Sequence, residues 1–243
     1  MLSNKTLLIT GATSGVGYEL VCQLAPHNHI LAIGRDDAKL VALKQRFAGI
    51  QTYSADMSDQ QVFPSLCQNI LSDYAQIDVL INNAAVQFTP RLLDDDFCYA
   101  SIAHEVTLNF TAVCALSYLL LPALLQSGKP SYILNINSGL ALAPKTQSAV
   151  YCASKAALNS FSQSLGYQLE HTQVSVLQAF LPLVDTPMTQ GRGSNKLSVQ
   201  QAAQAIIRGL ELGKTQHDIG KVKLLRLLLR IAPALARHLM KGH

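Results

Sequence analysis

The sequence predicts an α/β fold: one doubly wound parallel sheet of Rossmann type, in a single domain, with helices on both faces. Three observations point there. Short apolar runs alternate with helical patterns along all 243 residues, and the first run leads straight into a glycine-rich turn. Only 14% of residues are charged against 49% apolar, well below the roughly 25% charged residues of an ordinary globular domain, as a sheet buried on both faces requires. The length is ample for one large core, and no linker, repeat or low-complexity segment divides it.

Residues 7–10 form the first strand, followed by glycines and a helix over 16–24. A second strand spans 29–33 and a helix 36–47. A third strand, 50–54, precedes a helix over 62–74. Residues 79–81 form a fourth strand, and a long helix covers 104–125. A fifth strand (132–137), a helix (150–170) and a sixth strand (174–181) complete the pattern. Right-handed crossovers between parallel strands give the doubly wound arrangement. The 23 uncharged residues 106–128 could in length cross a bilayer. Thr107, Asn109, Thr111, Ser117, Gln126 and an internal Pro122 instead predict a buried helix.

The turn after the first strand reads Thr10-Gly11-Ala12-Thr13-Ser14-Gly15-Val16-Gly17. Glycines permit a tight turn and close approach of backbone to a pyrophosphate, and a helix N-terminus offers unpaired N–H groups to it. Gly11, Thr13, Ser14, Gly15, Val16 and Gly17 are therefore candidate dinucleotide contacts. The three-residue gap between Gly11 and Gly15 departs from the commoner G-x-G-x-x-G spacing. The tip of the second strand carries Gly34 where an acidic residue would accept the adenosine ribose, and Arg35 follows. A guanidinium there suits a 2′-phosphate, so NADP(H) is expected over NAD(H). Asp36 and Asp37 read as a helix cap rather than ribose ligands.

Tyr151 and Lys155 stand four residues apart at the start of a helix and share one face. A free phenol ionises near pH 10, and a neighbouring ammonium is expected to lower that. Ser138 ends the fifth strand, at the carboxyl edge where doubly wound sheets bind ligands. No metal-ligand cluster is seen, and none of the seven histidines is placed for catalysis.

With these motifs in order, residues 5–190 resemble the short-chain dehydrogenase/reductase family, in its compact branch. Thr10–Gly17 fits the family's T-G-x-x-x-G-x-G, and Asn82-Asn83-Ala84-Ala85 resembles N-N-A-G. Asp56 falls where the family contacts adenine, with Met57 beside it. Asn109, Ser138, Tyr151 and Lys155 match the family's asparagine, serine and Y-x-x-x-K. Pro182, Val184 and Thr186 match the segment beside nicotinamide. The resemblance implies an oxidoreductase transferring hydride between NADP(H) and a carbonyl or alcohol. Tyr151 would be the general acid/base, Ser138 a hydrogen-bond partner of the substrate oxygen, and Lys155 the ribose ligand. Asn109 would anchor a proton relay, and Asn83 and Ala84 would line the cofactor. A homodimer or homotetramer is implied as well. A catalytically silent NADP(H)-sensing or interaction protein on the same fold is the alternative. Ala85 and Leu183 depart from the glycines expected at their positions.

Residues 86–97, 140–147 and 183–196 should border the substrate. Leu140, Leu142, Leu183 and Met188 suggest an apolar pocket, with Ser138 at its chemical end and no charge that selects a carboxylate or phosphate. Residues 94–96, all aspartate, read as a solvated cap.

The net charge of +4 is unevenly spread. Residues 1–218 hold 13 Lys and Arg against all 15 Asp and Glu, a net of −2, and residues 219–243 carry +6. A nucleic-acid partner is therefore not expected. The sequence divides into a catalytic domain, 1–218, and a basic amphipathic extension, 219–243, packed on it. Residues 221–241 read as a basic amphipathic helix, which could alternatively meet a membrane surface or a partner. Five cysteines without a C-x-x-C pair, and no recognisable signal peptide, predict a reducing, cytoplasmic setting.

Overall fold

A computed structural model describes residues 2–126 and 128–242. Seven parallel strands form one sheet, in the order β3-β2-β1-β4-β5-β6-β7. They are β1 (Thr6–Thr10), β2 (His29–Gly34), β3 (Ile50–Ser54), β4 (Val79–Asn82), β5 (Ser131–Ser138), β6 (Val174–Leu181) and β7 (Gln216–Asp218). The chain runs outward from β1 in one direction through β2 and β3, then returns to place β4 on its other side. That reversal opens a crevice at the carboxyl ends of β1 and β4.

The period-2 alternation of each strand sorts its side chains into two cores. Leu7, Ile9, Ile30, Ala32, Val79 and Ile81 face one layer, which helices α1 (Gly15–Leu24), α2 (Asp37–Arg46) and α8 (Val199–Glu211) cover with Leu20, Leu43 and Ile206. Leu8, Leu31, Ile33 and Leu80 face the other. There α3 (Phe63–Asp73), α5 (Ala112–Leu119) and α6 (Leu121–Leu125) supply Ile70, Leu116 and Leu124. Helix α7 (Ala149–Gln168) lies against β5 and β6. A fully buried leucine contributes about 1.5–3 kcal/mol, so these double-sided strands hold much of the stability and explain the low charge content.

Three features differ from the sequence reading. The long helix expected over 104–125 is a series: α4 (Tyr99–Val106), a π turn (Thr107–Thr111), α5 and α6. Pro122, lacking an N–H, lies just after the break at Leu120. No helix among the described residues is long and apolar enough to cross a membrane. Strand β7 was not anticipated, since its Gln-His-Asp sequence has no apolar run; it pairs with Gln178–Phe180 at the sheet edge. Finally, the single helix expected over 221–241 is two, α9 (Val222–Ile231) and α10 (Pro233–Lys241), because Pro233 ends the first and starts the second.

Helix α9 is fixed to the body by a paired Arg226–Asp218 ion bridge, with Arg226 Nη2 donating to Asp218 Oδ1 at 2.8 Å and the guanidinium 4.8 Å from the Phe180 ring. Thr146 Oγ1 donates to the Lys241 carbonyl at 2.7 Å. Outward, the two helices expose Leu224, Leu227, Ile231, Leu235 and Leu239.

Candidate active site

A cavity of about 800 Å³ opens at the carboxyl edge of the sheet, within the ~300–1,000 Å³ range of ligand pockets. At one end lie Gly11, Thr13, Ser14, Gly15 and Val16, with Arg35, Asp56 and Met57 beyond them. Asn83, Ala84 and Ala85 floor its middle. Ser138, Leu140, Tyr151, Lys155, Pro182, Leu183, Val184, Thr186 and Met188 line the remainder. Of the candidate cofactor residues only Gly17 does not line the cavity; it lies beneath the turn, buried in α1.

The turn is built for close approach. Gly11 and Gly15 have φ of +64° and +52°, which side-chain-bearing residues rarely adopt. A Cβ on Gly11 would sit 2.9 Å from Ala84 Cα. Asn83 ties this turn to β4: its Nδ2 donates to the carbonyl of Thr10 at 3.0 Å, and its backbone N–H donates to Thr10 Oγ1 at 3.0 Å. Ser14, the N-cap of α1, makes no side-chain capping bond, so the first-turn N–H groups face the cavity without that partner.

The strand tip explains its glycine. A Cβ on Gly34 would lie 2.7 Å from Thr13 Cγ2, so the Thr13 methyl fills the place of a side chain. Asp36 is engaged as a cap, accepting from Lys39 N–H at 3.1 Å and pairing with Lys39 Nζ at 3.3 Å. Arg35 is exposed on the cavity wall. Ser58 holds Asp56, whose carboxyl lies below its ordinary range chiefly through the backbone and hydroxyl bonds of Ser58 and further through the charge of Arg35.

β5 and α7 bring the chemical groups together. Ser138 Oγ accepts the Leu140 N–H at 3.1 Å and lines the same cavity as Tyr151. Lys155 is 4% exposed and donates from Nζ to the Ile136 carbonyl at 2.9 Å; Nζ lies 5.9 Å from the Tyr151 ring centroid. The expected lowering of the Tyr151 phenol by Lys155 is corrected here. Burial pushes the phenol up to about 12 despite the opposing influence of Ser138, and burial pulls Lys155 down to about 8.

Asn109 sits fully buried in the π turn. Its Oδ1 accepts Val86 N–H at 2.9 Å, and Nδ2 donates to the Val86 carbonyl at 2.9 Å and to Ser154 Oγ at 3.2 Å. The side chain therefore clamps the segment following Asn83 and makes no hydrogen bond to Lys155.

Four residues near this cluster escaped the sequence reading. Glu105, one helical turn before Asn109, is 1% exposed, and its Oε1 accepts Phe88 N–H at 3.0 Å. Desolvation raises its carboxyl to about 7, and its charge reaches Tyr151 and Cys152. Its i, i−4 relation to Asn109 was the available signal. Since the folded state prefers protonated Glu105, its contribution is fully present below the ordinary carboxyl range and is lost as pH rises through about 7. Glu105→Gln keeps an acceptor for Phe88 without the charge. The wild type should therefore lose about 2 kcal/mol relative to this variant between pH 4.5 and 8. Denaturant midpoints at the two pH values test this, and parallel stability profiles would exclude it.

Lys145 and Arg192 also line the cavity, and so does Met240 of α10. Two cations thus lie on a wall that the sequence was expected to leave without a selecting charge. The expected borders need trimming too. From 86–97 only Val86 and Gln87 reach the cavity, because Arg91 and Asp94 close a separate turn, with Arg91 N–H donating to Asp94 Oδ2 at 2.7 Å. Leu142 lies off the wall.

The comparisons agree with this geometry. The family model described as short chain dehydrogenase matches residues 5–197. The chain is 34% identical over 239 residues to the uncharacterized oxidoreductase DltE of Bacillus subtilis (strain 168), covering 93% of this chain and 92% of that protein. It is 30% identical over 215 residues to a fatty acyl-CoA reductase of Acinetobacter baylyi, covering 85% and 72%. The fold superposes on a short chain dehydrogenase from Burkholderia cenocepacia solved with NADP. The TM-score is 0.87 over 98% of both chains, at 21% identity. A Burkholderia phymatum short chain dehydrogenase/reductase solved with NAD gives 0.83 over 95% and 96%, at 19% identity. A glycine turn beneath a crevice, a strand-end serine and a helical Tyr/Lys pair thus coincide with a family match over most of the chain, which belongs to the short-chain dehydrogenase/reductase family of oxidoreductases acting on alcohol and carbonyl groups.

Proposed function

We propose that the protein is an NADPH-dependent carbonyl reductase, able to run in reverse on the matching alcohol. The observation that carries this reading is the Ser138–Tyr151–Lys155 cluster on the wall of a cavity continuous with the glycine turn. The left-handed Gly11 and Gly15 and the N-terminus of α1, which lacks a side-chain cap, fit a dinucleotide pyrophosphate. Relatives named as reductases and structural neighbours solved with NADP or NAD support the same chemistry.

Thr13, Ser14 and Val16 would join those glycines at the pyrophosphate, with Gly17 keeping α1 close beneath it. Asp56 and Met57 would hold the adenine side, Asn83 and Ala84 the middle, and Pro182, Val184 and Thr186 the nicotinamide. When bound, the cofactor supplies a hydride to the carbonyl carbon. Tyr151, kept protonated at neutral pH by burial, donates its phenolic proton to the carbonyl oxygen while Ser138 Oγ donates a hydrogen bond to the same oxygen. Lys155 holds the nicotinamide ribose, and Asn109 fixes the Val86 segment of the wall. Leu140, Leu183 and Met188 supply apolar contact, and residues 219–243 form an extension closing one side of the cavity through Val222, Leu225 and Met240.

Preference for NADPH follows from Arg35 and from the absence of an acidic side chain at Gly34. A screen of aldehydes and ketones with both cofactors should show NADPH oxidation, and Arg35→Glu should weaken NADPH about tenfold or more while sparing NADH. Tight NADPH binding without turnover of any carbonyl would favour a silent, cofactor-sensing protein, and an unchanged preference would remove Arg35 from its role.

A further inference from the structure

Lys145 and Arg192 are charges in the cavity that the proton transfer does not use. Lys145 lies between the end of β5 and α7, and Arg192 lies on the loop that closes where Val184 bridges Leu197. Both are half-buried, and neither forms an ion pair among the described residues. The Arg192 Nη1 is buried without a hydrogen-bond partner. Among the described residues the cavity wall has one acidic side chain, Asp56, held by Ser58 beside Arg35. The neighbouring Lys196 is already satisfied by Asp185 and the Thr189 carbonyl, at 3.3 and 2.7 Å.

Burial pulls both cations below their ordinary range, and the charge of Arg192 adds to the effect on Lys145 and reaches Tyr151. The two positive groups therefore line the same cavity as the reacting phenol. Glycines set the course of the loop on both sides of Arg192. Gly191 and Gly193, on either side of Arg192, have φ of +73° and +59°, and a Cβ on Gly193 would lie 2.5 Å from Leu183 Cδ2. Buried donors of a guanidinium left without an acceptor are costly, and an oxyanion accepting from both cations offsets that cost.

We propose that Lys145 and Arg192 form an oxyanion subsite for the substrate, so that the preferred carbonyl compounds carry a carboxylate or phosphate near the reacting carbon. The assignment rests on the reductase reading only in placing the carbonyl at Tyr151; the anion preference stands apart from turnover.

Two measurements separate the two claims. Calorimetric binding to protein loaded with oxidised NADP compares 4-carboxybenzaldehyde, 4-formylphenyl phosphate and the neutral methyl 4-formylbenzoate without chemistry. Steady-state rates with NADPH repeat the comparison. At least one anionic aldehyde should bind about tenfold or more tightly than the ester, and the better of the two identifies carboxylate or phosphate. Arg192→Ala and Lys145→Met should each reduce that ratio about tenfold, and Arg192→Lys should restore part of it. Equal binding of acid and ester by the wild type overturns the proposal. So does an intact ratio in both variants, and a loss confined to NADPH affinity would assign Arg192 to the cofactor phosphates instead. Absence of turnover with every aldehyde counts against the reductase reading, while the binding ratio still decides the subsite.

Discussion

Tyr151→Phe should lower carbonyl-reduction kcat by about a thousandfold, since a positioned general acid contributes roughly 10²–10⁴, and should leave the NADPH dissociation constant within about twofold. The ring stays in the same buried place, so wall shape is kept and only the hydroxyl is lost. Ser138 Oγ still accepts the Leu140 N–H, so the stability cost should be no more than about 1 kcal/mol. Lys155 keeps its bond to the Ile136 carbonyl, which makes no use of the phenol. The variant thus separates proton delivery from binding. Single-turnover rates and fluorescence titration with NADPH measure the two. Turnover within tenfold of wild type would remove Tyr151 as the acid, and a matching fall in NADPH affinity would recast it as a binding residue.

The parts of this site that were legible in the sequence were those whose chemistry demands a fixed spacing on one element. Tyr151 and Lys155 share a helix face, Gly11 to Gly17 make one turn, and Asp36 caps the helix it precedes. The unbroken apolar run Leu7-Leu8-Ile9 likewise gave away a strand buried on both sides, its residues dividing between the two cores. What escaped depends on contacts across elements or on short, polar pieces. β7 is three polar residues held at the sheet edge by β6, and no periodicity marks it. Lys145 and Arg192 are 47 positions apart and reach one cavity only because the loop after β6 folds back over it. The direction of the Tyr151 shift was misjudged because spacing reveals a neighbouring charge but not the desolvation that outweighs it. The division of charge between body and tail was visible at once, but the tail's inner face, with Val222 and Leu225 against Gly139, required the fold.

Gly17→Ala should abolish measurable NADPH binding, weakening it more than a hundredfold, and should destabilise the protein by about 2–3 kcal/mol. An added Cβ would lie 2.1 Å from the Gly11 carbonyl oxygen and 2.4 Å from Asn83 Nδ2. Neither neighbour can yield cheaply. Gly11 is held in its left-handed conformation, and Asn83 Nδ2 is already committed to the Thr10 and Gly11 carbonyls at 3.0 and 3.3 Å. Helix α1 must then rise off β1, which carries its first-turn N–H groups away from the pyrophosphate site and opens the Leu20–Ile9 core beneath. Gly166 in α7 provides the contrast. Its added Cβ would meet only Val176 Cβ at 4.0 Å, so Ala there should stabilise by about 0.5–1 kcal/mol, the ordinary helical gain, and leave cofactor binding unchanged. Denaturant titration and calorimetry on both variants distinguish a close-packing requirement from a general preference for alanine in helices. NADPH binding by Gly17→Ala near the wild-type level would show that α1 does not need that contact to present its N-terminus.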